Sequence, residues 1–389
     1  MLDIAYNGIL FFMLAMCLLG MFKLQGPKRL TIWARTHSRL VVGVLWAALI
    51  SFVVGYLVFF SALQHEHDIP QAVSAAVNGL DNGLNPYVDE VVPRFETHDG
   101  LGFTIGMGTY NYLPLDLLVY SGMHNILGFA GFPAWFILSN LAFLAMAFYV
   151  FHELVPVKWA SYLPFAGIVS LFYSFDNCSL TILLMVLSVY VLTRLKSSYS
   201  AAFSVFLMGL AIMTKVYAAI PFAVLVIWLL QEQLRARQPR EALKIIGGVG
   251  STVAAGALLV LPFGMTNVLN SAVFFHLSAS TRFGTASGGT VLAELAMNSP
   301  YYVYIALGAV IAALIATMRV RDLYDRIMLV SFVFLIVVVK NSLSLVTIPG
   351  IYLAIRFYSW SHDARVAEDE PVVVVAPTRV SKPHGDDTD

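Results

Sequence analysis

Apolar runs of bilayer length recur along this chain and leave few folds open to it. The runs are Leu40–Leu63, Pro133–Tyr149, Ala201–Met213, Val216–Leu230, Ile245–Pro262 and Tyr301–Met318. Each approaches the roughly 20 residues a helix needs to cross a hydrocarbon core, allowing for short, tilted or protein-buried helices. Charged residues are only 12% of the 389 positions and hydrophobic ones 59%, where a soluble domain carries about 25% charged. In lipid a spanning segment must satisfy its own backbone hydrogen bonds, so long apolar runs read as helices. The expected fold is all-α: a polytopic transmembrane bundle of about 11 helices, with external loops and a juxtamembrane or re-entrant helix.

Lysine and arginine orient the bundle. The basic clusters are Lys23–Arg39, Lys158, Arg194 with Lys196, Arg235–Lys244, Arg319–Arg326 and the tail from Arg356. All reach the cytoplasmic side on one condition: the stretch Tyr112–Gly128 must not cross. That stretch contains Pro114, Asp116, His124 and Asn125, which suit a helix at the interface or one re-entering from outside. The spans are then 4–22, 40–62, 132–152, 159–174, 178–193, 200–214, 217–231, 245–263, 300–318, 327–340 and 343–356. Four cations break the positive-inside pattern: Arg94, Lys215, Arg282 and Lys340. These are candidates for holding an anion on the external side.

The N-terminus has no basic residues ahead of its first apolar run; Lys23, Lys28 and Arg29 follow it. A cleaved signal peptide has the reverse order, so a retained first helix is expected. The transmembrane domain covers 1–360, with external loops 64–131 and 263–300. The tail 361–389 is acidic, polar and Pro-containing, the composition of a disordered cytoplasmic segment. Cys17 and Cys178 show no metal-ligand or CxxC spacing and read as small buried apolar residues. Zero net charge gives a nucleic-acid partner no support.

The polar stretch from Gln64 to Tyr112 concentrates the chemistry. It holds seven of the 23 acidic residues (Glu66, Asp68, Asp81, Asp89, Glu90, Glu96, Asp99) and three of the nine histidines (His65, His67, His98). Glu66, His67 and Asp68 directly follow an expected span, at the boundary where a lipid-borne group and a water-soluble one can meet. Partial desolvation there raises a carboxyl pKa toward the range of a useful base. A metal held by His65 and His67 is disfavoured, because side chains two apart lie about 200° apart on a helix. Gly83-Leu-Asn-Pro-Tyr87 is a tight-turn sequence. Tyr110-Asn-Tyr-Leu-Pro-Leu115 enters the expected interfacial helix, where tyrosines also serve as anchors. Lys215 lies between two apolar helices, a costly position without an anion or carboxylate. His276 and Arg282 lie in the second external loop, and arginine binds phosphate in a bidentate way.

The order of these features resembles the GT-C superfamily, polytopic glycosyltransferases that use polyprenyl-phosphate sugars. The nearest resemblance is to the group containing the actinobacterial polyprenyl-phosphate-mannose-dependent mannosyltransferases. It rests on Asp68 after an early helix, Gly83–Tyr87 as G-x-N-P-Y, Tyr110–Leu115 as Y-x-Y-x-P-L, and the hairpin Gly209-Leu-Ala-Ile-Met-Thr-Lys215. It covers roughly residues 45–300. The chain departs from the group at Leu113, where proline is usual, and at Phe175-Asp-Asn-Cys-Ser, where a Gly-Gln-x-Asn turn is common.

The resemblance implies inverting transfer of a mannose or another hexose or pentose. The donor is a polyprenyl-phosphate sugar and the acceptor a glycolipid or glycan, at the external face of the plasma membrane. Asp68 would be the base. Lys215, Arg282 and His276 would hold the donor phosphate. Tyr87, Tyr110, Tyr112, Glu66 and His67 would line the substrate site. No cofactor is required by this reading, no metal site is assigned, and a divalent-metal requirement stays open. Membrane lipids are the remaining partners. A polytopic lipid or glycan transporter or flippase, and a non-catalytic membrane subunit, remain alternatives. A transporter would place its polar residues at mid-depth and show repeat symmetry. No clear internal repeat stands out in this sequence.

Overall fold

The computed structural model describes residues 68–98, 102–132, 134–154, 177–274, 301–337, 348–352 and 355. The described chain is mostly helical. Three of its helical stretches are long and apolar enough to cross a membrane: Ala134–Phe151, Val216–Arg235 and Pro239–Phe263. Shorter apolar helices run through Ser179–Arg194, Ser200–Ile212 and Tyr304–Arg319. The expected spans 4–22, 40–62 and 159–174 and the tail lie outside the described residues.

The polar stretch folds first. Helix α1 (Asp68–Asp81) buries Ala72, Val73, Ala76 and Val77. Gly83 follows with φ +77°, a left-handed conformation that glycine adopts without a Cβ clash. Asn85 then organises the turn. Its carboxamide oxygen accepts from the Tyr87 N–H at 3.1 Å, and its own N–H donates to Asp89 Oδ2 at 2.7 Å. An antiparallel hairpin comes next, β1 (Val92–His98) and β2 (Gly102–Gly108), with Val92 opposite Gly108 and Phe95 opposite Ile105. An all-α reading had no hairpin. The segment carries β-formers such as Val92, Phe95 and Thr97 without the apolar periodicity of a spanning helix, and each strand satisfies the other's backbone.

Helix α2 (Pro114–Leu127) occupies the stretch expected to form an interfacial or re-entrant helix. Leu113 ahead of it is extended (φ −76°, ψ 156°) and Pro114 sits in its first turn. Proline is well suited there, because the first N–H groups of a helix have no intrahelical acceptor. Asp116 lies in the same turn, facing the positive end of the helix dipole. Helix α2 packs on α1, and His124 Nδ1 meets Asp81 Oδ2 at 3.2 Å near both C-terminal ends.

The bundle follows: α3 (Ala134–Leu154), α4 (Ser179–Arg194), α5 (Ser200–Ile212), α6 (Ala219–Arg235) and α7 (Pro239–Val260), then α8 (Tyr302–Ala316) and α9 (Leu323–Val337). Helix α4 is apolar on all sides and buried along most of its length, as expected of a central helix. It packs on α3 and α5, and α5 packs on α7. The α5–α7 approach is close. A Cβ on Gly248 would meet the Ala202 carbonyl oxygen at 2.5 Å, and one on Gly209 would collide with the Thr252 side chain.

The two ends of the bundle differ chemically. At one end Arg194 donates to the carbonyls of Glu153 and Leu154, Lys244 to that of Ser198, and Trp228 Nε1 to that of Arg321. Buried Arg326 donates to Gln231 Oε1 at 2.6 Å and to the carbonyls of Met318 and Val320. At the other end the polar stretch is tied to the segment after α7. Asn85 Nδ2 donates to the Phe263 carbonyl at 3.0 Å. The Thr109 and Ser271 hydroxyls lie 3.1 Å apart, and Ser271 Oγ donates to the Tyr87 carbonyl at 3.3 Å. The second expected loop thus begins against the first.

Candidate functional site

The break between α5 and α6 places Lys215. The chain turns through Met213 and Thr214 and is extended at Lys215 (φ −140°, ψ 118°) before a short 3-10 turn, Val216–Ala218. Thr214 fastens the break. Its Oγ1 donates to the Ala211 carbonyl at 2.7 Å and lies 2.8 Å from Thr181 Oγ1 on α4. The lysine is buried, and its Nζ lies 3.8 Å from the centroid of the Tyr112 ring. A cation over an aromatic face is attracted by the ring quadrupole.

Tyr112 belongs to an aromatic group spanning three segments. The Tyr110 and Tyr112 rings meet edge to face, with centroids 5.4 Å apart. Tyr87 meets Tyr110 at 5.8 Å and Phe263 at 5.1 Å, both edge-on. The Tyr110 N–H donates to the Pro86 carbonyl at 2.7 Å, bringing the G-x-N-P-Y and Y-x-Y-x-P-L segments together. The Tyr87 hydroxyl donates to the Tyr112 carbonyl at 2.8 Å, and the Tyr110 hydroxyl to Asp116 Oδ2 at 2.6 Å. Both hydroxyls therefore point into the protein. Tyr87 and Tyr110 are buried, whereas Tyr112 keeps partial exposure.

Asp116 is the polar centre of this group. It is fully buried, and its Oδ2 also accepts from Asn177 Nδ2 at 2.5 Å. Asn177, itself fully buried, precedes the first turn of α4. Bonds to an ionised carboxylate are stronger than neutral ones. Burial, and then the Asp116 charge, push the Tyr110 and Tyr87 hydroxyls well above the ordinary tyrosine value, so both remain donors. A second polar node lies one turn further along α2. The Tyr120 hydroxyl and Ser179 Oγ both donate to Asn140 Oδ1, and Asn140 Nδ2 donates to the Phe136 carbonyl at 2.9 Å. Nearby, Cys178 Sγ lies 3.1 Å from the Tyr217 hydroxyl.

Four residues singled out in the sequence are thus brought together: Tyr87, Tyr110, Tyr112 and Lys215. Asp68 is the first residue of α1, whose far end is tied to the far end of α2. Glu66, His67, His276 and Arg282 lie outside the described residues. Among the described residues, no group of three His, Cys, Asp or Glu side chains has metal-binding geometry. Asp116 and Asn177 were not singled out for a role by their sequence context. Asp116 carries one usable signal: it is the only acid between Tyr110 and Trp135, and it falls in the first turn of a helix opened by proline. Asn177 has no such signal, because its partner is 61 positions away. Compared with known protein families, with curated proteins and with solved structures, the chain matches none.

Proposed function

We propose that this chain is a multi-pass membrane glycosyltransferase of the GT-C type. It moves a sugar from a polyprenyl-phosphate donor to a glycolipid or glycan acceptor at the external face of the plasma membrane. The observation that carries the reading is Lys215. It is a buried cation at the end of the bundle where the polar stretch is gathered, opposite the end that holds the other described basic clusters. A buried ammonium at that end is suited to the phosphate of a lipid-linked donor, whose charge grows as the sugar leaves.

The chemistry follows from the donor. Asp68 takes the proton from an acceptor hydroxyl as that oxygen attacks the anomeric carbon. The bond from that carbon to the phosphate oxygen breaks with inversion, and its electron pair stays on the polyprenyl phosphate. Lys215, with Arg282 and His276 of the second loop, neutralises the growing charge; preorganised cations are effective in that task. A phosphate leaving group needs no separate acid, so one carboxylate suffices.

The test is consumption of substrate. Protein in lipid nanodiscs is given radiolabelled polyprenyl-phosphate mannose, and other polyprenyl-phosphate sugars in turn, together with an extract of glycolipid and glycan acceptors. Transfer of label that requires Asp68 supports the reading. Donor binding without turnover in every combination would instead favour a transporter or flippase.

A further inference from the structure

We propose that Tyr112 is the positioning residue of Lys215, and that Asp116, acting through Tyr110, holds Tyr112 in place. The proposal deepens the reading above and rests on Lys215 serving the donor phosphate.

A lysine ammonium is a compact charge on a flexible four-carbon stem, so burial alone does not fix where it sits. Here the stem starts from an extended break between two helices, and the Tyr112 ring face lies 3.8 Å from Nζ. The negative face of the ring attracts the ammonium and repels an anion. A phosphate therefore approaches Lys215 from the side away from the ring. The ring both fixes the cation and gives the site a direction.

The ring is in turn held from several sides. Its residue's carbonyl accepts the Tyr87 hydroxyl at 2.8 Å, and the edge-to-face contact with Tyr110 sets its tilt. Tyr110 is immobilised by its bond of 2.6 Å to Asp116, and Asp116 by Asn177 at the start of α4. The line of contacts runs from α4 through α2 and the tyrosines to the α5–α6 break. Its contact with Lys215 is the Tyr112 ring face, which phenylalanine also has. Phenylalanine therefore serves at this position, whereas an aliphatic residue does not.

The test reads the lysine directly. Protein is labelled with carbon-13 at the lysine ε position, and the Lys215 signal is assigned by its loss in Lys215→Met. An ammonium over a ring face has its CεH2 protons shifted upfield. The shift should persist in Tyr112→Phe, vanish in Tyr112→Leu and shrink in Tyr110→Phe and Asp116→Asn. A Lys215 signal unmoved in Tyr112→Leu overturns the proposal. Should that variant not fold, an unmoved signal in the milder Tyr110→Phe overturns the part assigned to Asp116, and a lost shift in Tyr112→Phe overturns the part assigned to the ring.

A second measurement separates positioning from function. Binding of undecaprenyl phosphate is followed in phosphatidylcholine nanodiscs, with undecaprenol as the uncharged control. Tyr112→Leu should bind the phosphate roughly 3- to 30-fold more weakly. If the Lys215 signal responds as expected but Lys215→Met binds undecaprenyl phosphate like the parent protein, the positioning stands and the phosphate role fails.

Discussion

The Tyr110 hydroxyl donates to Asp116 Oδ2 at 2.6 Å, with both side chains fully buried. The bond joins the end of the polar stretch to the first turn of α2. Tyr110→Phe withdraws a donor from a buried carboxylate and should cost about 1–3 kcal/mol. Replacing both residues, as Tyr110→Phe with Asp116→Leu, should cost less than the sum of the two single changes, because each single change leaves a partner stranded. Unfolding by SDS titration in mixed micelles measures all three variants. Additive costs would show that the pair is not coupled.

Burial of Tyr110 gives stability a pH dependence at the alkaline end. Burial, and then the Asp116 charge, hold the Tyr110 hydroxyl well above its ordinary value of 10.0. The folded state therefore favours the protonated form. Its contribution is complete below the unfolded value and falls as pH rises past it, because the unfolded chain then releases a proton that the folded chain retains. Tyr87 acts in the same sense. Stability should decline above about pH 10, and less steeply in Tyr110→Phe. Equal slopes for the two proteins would contradict the assignment.

Asp68 is the residue expected to act as base. Asp68→Asn keeps the shape and removes the basic oxygen, so transfer should fall on the order of 10²–10⁴-fold while folding and donor binding survive. Glu66→Gln should cost much less. Near-normal transfer by a folded Asp68→Asn protein rules Asp68 out, and an inactive Glu66→Gln beside it moves the base two residues upstream.

Close packing of α5 on α7 predicts a pair of unlike outcomes. Gly209→Ala collides with the Thr252 side chain, so adding Thr252→Ala should restore much of the lost stability. Gly248→Ala meets the backbone oxygen of Ala202 at 2.5 Å, which no side-chain change relieves. Overpacking of this kind typically costs 1–3 kcal/mol. Thermal unfolding in detergent distinguishes the two. Equal rescue of both glycine variants by Thr252→Ala would contradict the packing.

Membrane topology follows from the two chemically distinct ends. Glu90 and Arg237 are both exposed, the first in the polar stretch and the second between α6 and α7. Cysteines introduced singly at these positions, in a background with Cys17 and Cys178 replaced by serine, should react with an impermeant reagent from opposite sides of the membrane. Labelling of both from one side would end the orientation on which the proposed site depends.

Much of the architecture was legible in the order of residues because its causes are local. Long apolar runs read directly as helices, and those described overlap the expected spans at 132–152, 178–193, 200–214, 217–231 and 245–263, although α7 begins earlier, at Pro239. Pro114, Asp116, His124 and Asn125 set the stretch Tyr112–Gly128 apart from the apolar runs, and helix α2 lies within it. The hairpin was not legible: its pairing of Val92 with Gly108 depends on a reversal between the strands, and neither strand carries an apolar pattern strong enough to announce it.

The sequence by itself determined the apolar helices, the separate helix after Tyr112 and the short set of polar residues available for chemistry, since these depend on composition, periodicity and spacing along the chain. Only the tertiary structure decided what those residues do to one another. It turned the Tyr87 and Tyr110 hydroxyls inward, set Lys215 over Tyr112, and made Asp116 the centre of the group through Asn177, 61 positions away. The physical reason is that a buried polar side chain must find partners wherever the packing of separate helices supplies them, and that packing leaves no mark in the local sequence.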